Sequence, residues 1–219
     1  FLLNQPAENY FIDRLFNTEE GRSVGLSYLK ERGLSESIIK KFKLGYSPEG
    51  WTAFTDYATS KGYKEEYLIK TGLTKVSESG KKYDFFHGRI MFPIHTVSGK
   101  TIGFGGRTLL KDFKGGKYFN SPENEIYHKK ETLYGIDVSS RAARELNNVY
   151  LVEGYMDVIS LHASGIENVV AASGTAFTPE QVKMLSRMTR DRNITVLFDG
   201  DSAGIKASKR SISMLLEAD

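Results

Sequence analysis

A chain of 219 residues, 40% hydrophobic and 26% charged, has room for one large or two small domains and the composition of a globular protein. Its net charge of +3 is too slight to mark a nucleic-acid binder, so such a claim rests on where the charge lies. The absence of cysteine excludes disulfides and thiolate zinc sites here and fits a cytosolic setting, while no apolar run is long enough to cross a bilayer and the first residues lack the regions of a signal peptide.

Residues 1 to about 45 read as helical. Tyr10 to Phe16 spaces its apolar groups as one amphipathic face. Ser23 to Arg32 forms a second segment that stops at Gly33, a C-cap, and Ser35 then N-caps a helix through Ile38, Ile39 and Phe42. Lys40, Lys41 and Lys43 sit near its C-terminal end, as a solvated helix end favoured by the dipole or as a DNA contact. Leu44-Gly45-Tyr46 reads as a short strand or turn. Trp51, Phe54 and Tyr57 recur at helical spacing, followed by Tyr63, Tyr67 and Leu68. Such a stripe is core, with a base-stacking surface as the alternative.

From residue 83 the character changes. Arg89 to Val97 and Thr101 to Arg107 flank Ser98-Gly99-Lys100, a β-hairpin pattern. Pro93 points to an edge position or a bulge. Glycines at 103, 105 and 106 leave room for a backbone or a phosphate to approach, and Arg107 beside them favours phosphate. Between Lys100 and Glu131 seven Lys or Arg (100, 107, 111, 114, 117, 129, 130) face four Asp or Glu (112, 123, 125, 131). Tyr118, Phe119 and Asn120 are interleaved with them. Cations, aromatics and amides together bind phosphates and bases, or make a solvated loop. The four histidines, His87, His95, His128 and His162, show no metal-ligand spacing.

The stretch from Val149 organises the remainder. Strands are expected at Val149–Val152, Asn168–Ala172 and Asn193–Phe198, with helices over Asp157–Ala163, from an N-cap at Thr178 to about Met188, and over Ala203–Glu217. Ser173-Gly174-Thr175 follows the second strand. Thr178-Pro179-Glu180-Gln181 carries the N-cap, N1 proline and N3 glutamine of a helix start. This alternation gives a parallel sheet with right-handed crossovers and buried strands. Ligands collect at the carboxyl ends of such strands. There Glu153, Asp199 and Asp201 are expected to converge, and carboxylates so placed call for a cation such as Mg²⁺ between them. The sheet ends before a fourth strand. With no initiator Met and an abrupt end at Leu216-Glu217-Ala218-Asp219, the chain reads as a piece of a longer protein.

Glu153-Gly154 after one strand and Asp199-x-Asp201 after a later one resemble the Toprim signature of primases, topoisomerases and some nucleases. The surroundings are more specific. Val152 to Val158, Phe198 to Gly204, Arg32-Gly33-Leu34, Phe42-x-Leu44-Gly45-Tyr46, Arg89 to Ile94, Ile102 to Arg107 and Lys117-Tyr118-x-Asn120-Ser121-Pro122-Glu123 resemble the bacterial replicative DNA primases of the DnaG family. The resemblance runs in order from about residue 22 to the end.

It implies an α/β chain: a mixed α+β subdomain over 1–147, then a Rossmann-like Toprim domain over 148–219, with a cleft between the two. It implies an enzyme that makes short RNA primers on single-stranded DNA from ribonucleoside triphosphates with Mg²⁺ or Mn²⁺. Glu153 matches the acidic residue required for activity, Asp199 and Asp201 the metal-binding aspartates, and Asp157 a further acidic position. Arg107, Lys117, Asn120 and Lys129 match positions that hold the triphosphate, and Arg89 a basic position on the DNA track. His87 stands where some members carry arginine. The family's zinc-binding domain would precede this chain. A further aspartate pair of the metal site and the domain that meets the replicative helicase would follow it. A cytoplasmic place at the bacterial replication fork is implied, with no membrane role. This piece alone is expected to fold, to bind single-stranded DNA weakly and metal poorly, and to have little activity. Two other readings remain: a non-catalytic single-stranded-DNA-binding scaffold, and a haloacid-dehalogenase-type phosphatase, whose nucleophile motif Phe198-Asp199-Gly200-Asp201 resembles.

Overall fold

The computed structural model describes residues 2–110, 116–172 and 177–217. Lys111, Asp112, Lys114 and the strand-end Ser173-Gly174-Thr175 lie outside them. The chain divides into two compact units, residues 1–94 with 100–127, and residues 95–99 with 128–219. Compact packing groups residues 128–147 with the second unit.

In the first unit, helix α1 (Asn4–Asn17) leads to a π-helical turn (Gly21–Leu26) that runs straight into α2 (Ser27–Glu31). A glycine at 21 permits this, because a Cβ there would lie 1.9 Å from the Arg14 carbonyl oxygen of α1. Gly33 follows with φ +78°, and its N–H and that of Leu34 close the helix end on Lys30 and Leu29. The Ser35 hydroxyl accepts the Ile38 N–H and starts α3 (Glu36–Lys41). Both fit the sequence expectation. The lysines that follow are paired: Lys40 with Glu36 at 2.6 Å and Lys43 with the buried Glu8 at 3.3 Å.

Strand β1 (Gly45–Ser47) precedes α4 (Ala53–Ser60) and α5 (Glu65–Lys70). The Asp84 carboxylate, at the end of a hairpin of β2 (Thr74–Val76) and β3 (Lys82–Asp84), accepts the Phe54 and Thr55 N–H groups and the Thr55 hydroxyl. It caps α4 from a distant point in the chain. Of the aromatic stripe, Phe54 is core, whereas Trp51 precedes the helix and is 62% exposed, its ring 4.0 Å from that of His87. The core reading fails for Trp51 because α4 begins only at Ala53.

Strands β4 (Arg89–His95) and β5 (Thr101–Thr108) form the expected hairpin, and with β1 and β6 (Tyr118–Asn120) make a sheet in the order β1-β4-β5-β6. Pro93 therefore stands in an interior strand. It is accommodated because β1 pairs only with Arg89, Ile90 and Met91, so Pro93 lies past that paired stretch. The core of this unit gathers Tyr10, Phe11, Phe54, Phe86, Met91 and Phe104.

In the second unit, a 3₁₀ turn (Lys129–Glu131) and α6 (Ile136–Leu146) lead into β7 (Val149–Val152), α7 (Tyr155–Ala163), β8 (Val169–Ala171), α8 (Pro179–Ser186), β9 (Ile194–Val196) and α9 (Ser202–Glu217). The three strands are parallel, with β7 in the centre between β8 and β9. Tyr134 bridges to Ala171 on the far side of β8. The expected capping box is present: the Thr178 hydroxyl accepts the Gln181 N–H while the Gln181 side chain accepts the Thr178 N–H. Val149, Leu151, Val170, Val182 and Leu185 fill the core. β9 departs from the expectation of a buried strand. It is an edge strand among the described residues, with Ile194 and Val196 half-buried and Leu197 exposed.

Candidate functional site

Glu153 follows β7 directly, and Asp199 comes three residues after β9. The two strands are adjacent and parallel, so the acids leave the same edge of the sheet. The Glu153 Oε1 accepts the Asp199 backbone N–H at 2.8 Å and ties the two strand ends together. Gly204, in the first turn of α9, closes over this link. A Cβ at Gly204 would lie 2.2 Å from the Asp199 carbonyl oxygen and 3.0 Å from Glu153 Oε1.

Asp201 turns to a different task. Its Oδ1 accepts the Gly204 N–H at 2.7 Å, the N-cap bond of α9. Asp157, at the third position of α7, makes the reverse contact, its Oδ2 accepting the N-cap Gly154 N–H at 2.9 Å. Loss of solvation by partial burial is the main cause that raises the Asp157 pKa above the ordinary carboxylate value; the Gly154 N–H opposes this and the Asp199 charge adds to it.

The three acids leave one edge of the sheet, but their side chains are engaged separately. Glu153 meets the Asp199 backbone, Asp201 caps a helix, and among the described residues no group of three or more His, Cys, Asp or Glu is placed to hold a metal ion. The donor chemistry does suit a hard divalent cation, which takes carboxylate oxygens. Glu153 and Asp199 are joined at the ends of adjacent parallel strands, so two such carboxylate residues stand at one edge of the sheet.

Of the expected phosphate-holding residues, Arg107, Lys117 and Asn120 lie on or beside the β5–β6 pair. Arg107 lies opposite Tyr118, and Gly105 opposite Asn120, so strand alternation puts Arg107, Tyr118 and Asn120 on one face. Arg107 Nη1 donates to the Tyr118 hydroxyl at 3.0 Å. Lys117, just before β6, is exposed. Lys129 belongs to the second unit, where its carbonyl accepts a side-chain N–H of Gln181.

Arg89, expected on a DNA track, is only 3% exposed. Its Nη1 donates to the Gly106 and Lys117 carbonyls, and its guanidinium lies 4.0 Å from the Phe119 ring centroid. Burial lowers its pKa. Here Arg89 buttresses the face of the sheet opposite Arg107.

Gly103 and Gly106 serve packing rather than phosphate approach. A Cβ at Gly106 would lie 2.5 Å from the Phe86 ring, and one at Gly103 3.1 Å from the Tyr127 ring. His87, His95 and His162 are likewise occupied internally, by Trp51, Asp137 and Ser139 respectively. A cavity of about 610 Å³ in the first unit, lined by Leu3, Tyr63, Tyr67 and Ile126 among others, is bordered by none of the expected site residues. Sequence reading passed over Gly204, which sits inside the quoted motif, and Tyr28, whose ring lies against Arg107.

Comparison with known proteins places these features in context. Residues 10–140 match the model of the DNA primase catalytic core, N-terminal domain, and residues 150–219 match a Toprim-like model. The chain is 42% identical over 194 residues to a DNA primase of Deinococcus radiodurans, covering 88% of this chain and 34% of that protein. It is 45% identical over 190 residues to a DNA primase of Synechocystis, covering 85% of this chain and 30% of that protein. It thus spans about a third of the length of the curated relatives it matches. Among solved structures, the RNA polymerase domain of Mycobacterium tuberculosis primase DnaG superposes with a TM-score of 0.88 at 34% identity, over 97% of this chain and 70% of that one. A DnaG primase catalytic domain bound to single-stranded DNA superposes with a TM-score of 0.88 at 36% identity, over 98% of this chain and 67% of that one.

Proposed function

This chain belongs to the DNA primase catalytic core family, and from that premise we propose that it is the greater part of the catalytic core of a primase, an enzyme that copies single-stranded DNA into short RNA primers during replication. Residues 1–147 and 148–219 would be its two sequence modules. The observation that carries the reading is the Glu153–Asp199 link at the carboxyl ends of β7 and β9, closed by Gly204. Nothing in that arrangement favours a phosphatase, in which Asp199 would act as a nucleophile.

In the reaction, the 3′-hydroxyl oxygen of the growing primer bonds to the α-phosphorus of a ribonucleoside triphosphate. The bond from that phosphorus to the bridging oxygen breaks, pyrophosphate leaves, and the hydroxyl proton passes to solvent. Glu153, Asp199 and Asp201 would hold Mg²⁺ or Mn²⁺, which lowers the hydroxyl pKa and neutralises charge on the transferring phosphate. Arg107, Lys117, Asn120 and Lys129 would hold the departing phosphates, whose growing charge they stabilise. Arg89 would support the template track from within the sheet. A helicase contact and a zinc-binding domain are proposed for other parts of the whole protein. No helix among the described residues is long and apolar enough to cross a membrane, and a cytoplasmic site of action is proposed on the family's account.

The test is template-dependent synthesis by the full-length protein. Ribonucleotide incorporation on single-stranded DNA with Mn²⁺ supports the reading. Absence of synthesis, with hydrolysis of a chromogenic phosphomonoester in its place, overturns it in favour of a phosphatase. DNA binding with neither activity leaves only a scaffold.

A further inference from the structure

Arg107 does not stand alone on its sheet. Its guanidinium carbon lies 4.9 Å from the ring centroid of Tyr28 and 5.4 Å from that of Tyr118. Arg32, the residue that closes α2, places its own guanidinium 5.4 Å from the same Tyr28 ring. Three segments distant in sequence thus build one ladder of alternating cations and phenols. Each rung is a cation–π contact, which orients a guanidinium by its plane.

The ladder is built on a stiff base. α2 continues directly from the π-helical turn, and that turn is pressed against α1 at Gly21 and against Leu15 and Tyr46 at Gly25. The position of Tyr28 is therefore set by backbone packing rather than by a mobile loop. The hydrogen bonding is incomplete in a telling way. Tyr28 Oη and Arg107 Nε are both buried and make no hydrogen bond among the described residues. Buried donors of this kind are rare and call for an explanation. Among the described residues, Nη1 of Arg107 is engaged by Tyr118.

We propose that Tyr28 is a positioning residue for polyphosphate binding: its ring, packed against the guanidinium, fixes the plane of Arg107 so that the edge not buried against the protein meets the oxyanions of an incoming nucleotide. This rests on the reading of Arg107 as a triphosphate-holding residue. Tyr28 touches the guanidinium and not the phosphates, so its loss costs ground-state affinity for nucleotide and leaves the chemical step untouched.

The experiment uses the full-length protein with inorganic tripolyphosphate as the calorimetric probe and KM and kcat for primer synthesis as the kinetic readouts. Tyr28→Leu keeps the bulk and removes the ring. It is expected to weaken tripolyphosphate binding and raise the nucleotide KM about fivefold, the order of one cation–π contact, with kcat unchanged. Tyr28→Phe retains the ring and is expected to match the wild type in KM. In an Arg107→Ala background, Tyr28→Leu is expected to add nothing, as for two residues acting through one contact. Weaker binding in Arg107→Ala with wild-type values in Tyr28→Leu would overturn the role of Tyr28 while leaving that of Arg107 standing. Unchanged binding in Arg107→Ala would remove the underlying reading instead. Should Tyr28→Leu fail to fold, NMR of the wild-type protein decides: tripolyphosphate is expected to shift the Arg107 Nε–H and the Tyr28 ring protons together, and an Arg107 shift with an unmoved Tyr28 ring would refute the proposal.

Discussion

The Glu153 side chain accepts the backbone N–H of Asp199 at 2.8 Å, so the acid at the end of the central strand also fixes the loop that carries the next two acids. Charge and architecture are joined in one carboxylate, and substitutions there separate them. Glu153→Gln keeps an oxygen for the Asp199 N–H and removes the charge. The expected outcome is a melting temperature close to wild type with primer synthesis abolished in the full-length protein. Synthesis at a comparable rate would sink the assignment.

Gly204→Ala tests the closure over that link. In a free helix the change would stabilise by about 1 kcal/mol. Here the new Cβ would lie 2.2 Å from the Asp199 carbonyl oxygen. The sign is therefore expected to reverse, with a loss of about 1–3 kcal/mol in denaturant titration, as for overpacking, and a large loss of activity. A more stable variant would show that the first turn of α9 yields easily.

Asp201 combines a cap with a charge. Asp201→Ala is expected to destabilise α9 by about 1 kcal/mol, whereas Asp201→Asn, an equally good N-cap, leaves stability near wild type. Both are expected to lose primer synthesis. Full activity in the Asn variant would leave Asp201 with the cap alone.

Lys117→Ala and Lys129→Ala are expected to raise the nucleotide KM more than they weaken binding to single-stranded DNA. The measurement pairs steady-state kinetics with DNA binding across a salt series. A loss confined to DNA affinity, with the salt slope smaller by about one per residue, would move these lysines to the template.

The single tryptophan, Trp51, reports on its stacking partner. Burial is the main cause that lowers the His87 pKa from the usual 6.5; nearby Arg89 lowers it further and Glu49 opposes. Indole emission is quenched by an adjacent imidazolium, so fluorescence is expected to fall with a midpoint below pH 6.5 and to lose that step in His87→Ala. The stability effect has a fixed sign. Below pH 6.5 the unfolded chain takes the proton first, so His87 reduces stability progressively as pH falls through its folded pKa and contributes nothing above pH 6.5. A midpoint at or above 6.5 would contradict the stacked, half-buried environment.

What the sequence settled by itself is local. The β7 strand at Val149–Val152, the capping box at Thr178 and Gln181, the stop at Gly33 and the cap at Ser35 all stand where they were expected, because strand alternation and helix ends are decided by residues within one or two turns of each other. The motif around Glu153 and Asp199 was legible for a related reason: each acid lies within three residues of the end of its own strand. Tertiary structure decided everything that depends on which surface another segment covers. Arg89 and Arg107 are both arginines in a β-hairpin, yet one is buried on Phe119 and the other lies against Tyr28, contributed by a helix some eighty positions earlier. Trp51 and Phe54 share a spacing but not a fate, since the helix starts between them. Gly103 and Gly106 await aromatic rings from Tyr127 and Phe86, not a phosphate. Local propensity cannot carry that information, because the energy that selects a buried face comes from contacts between residues far apart in the chain.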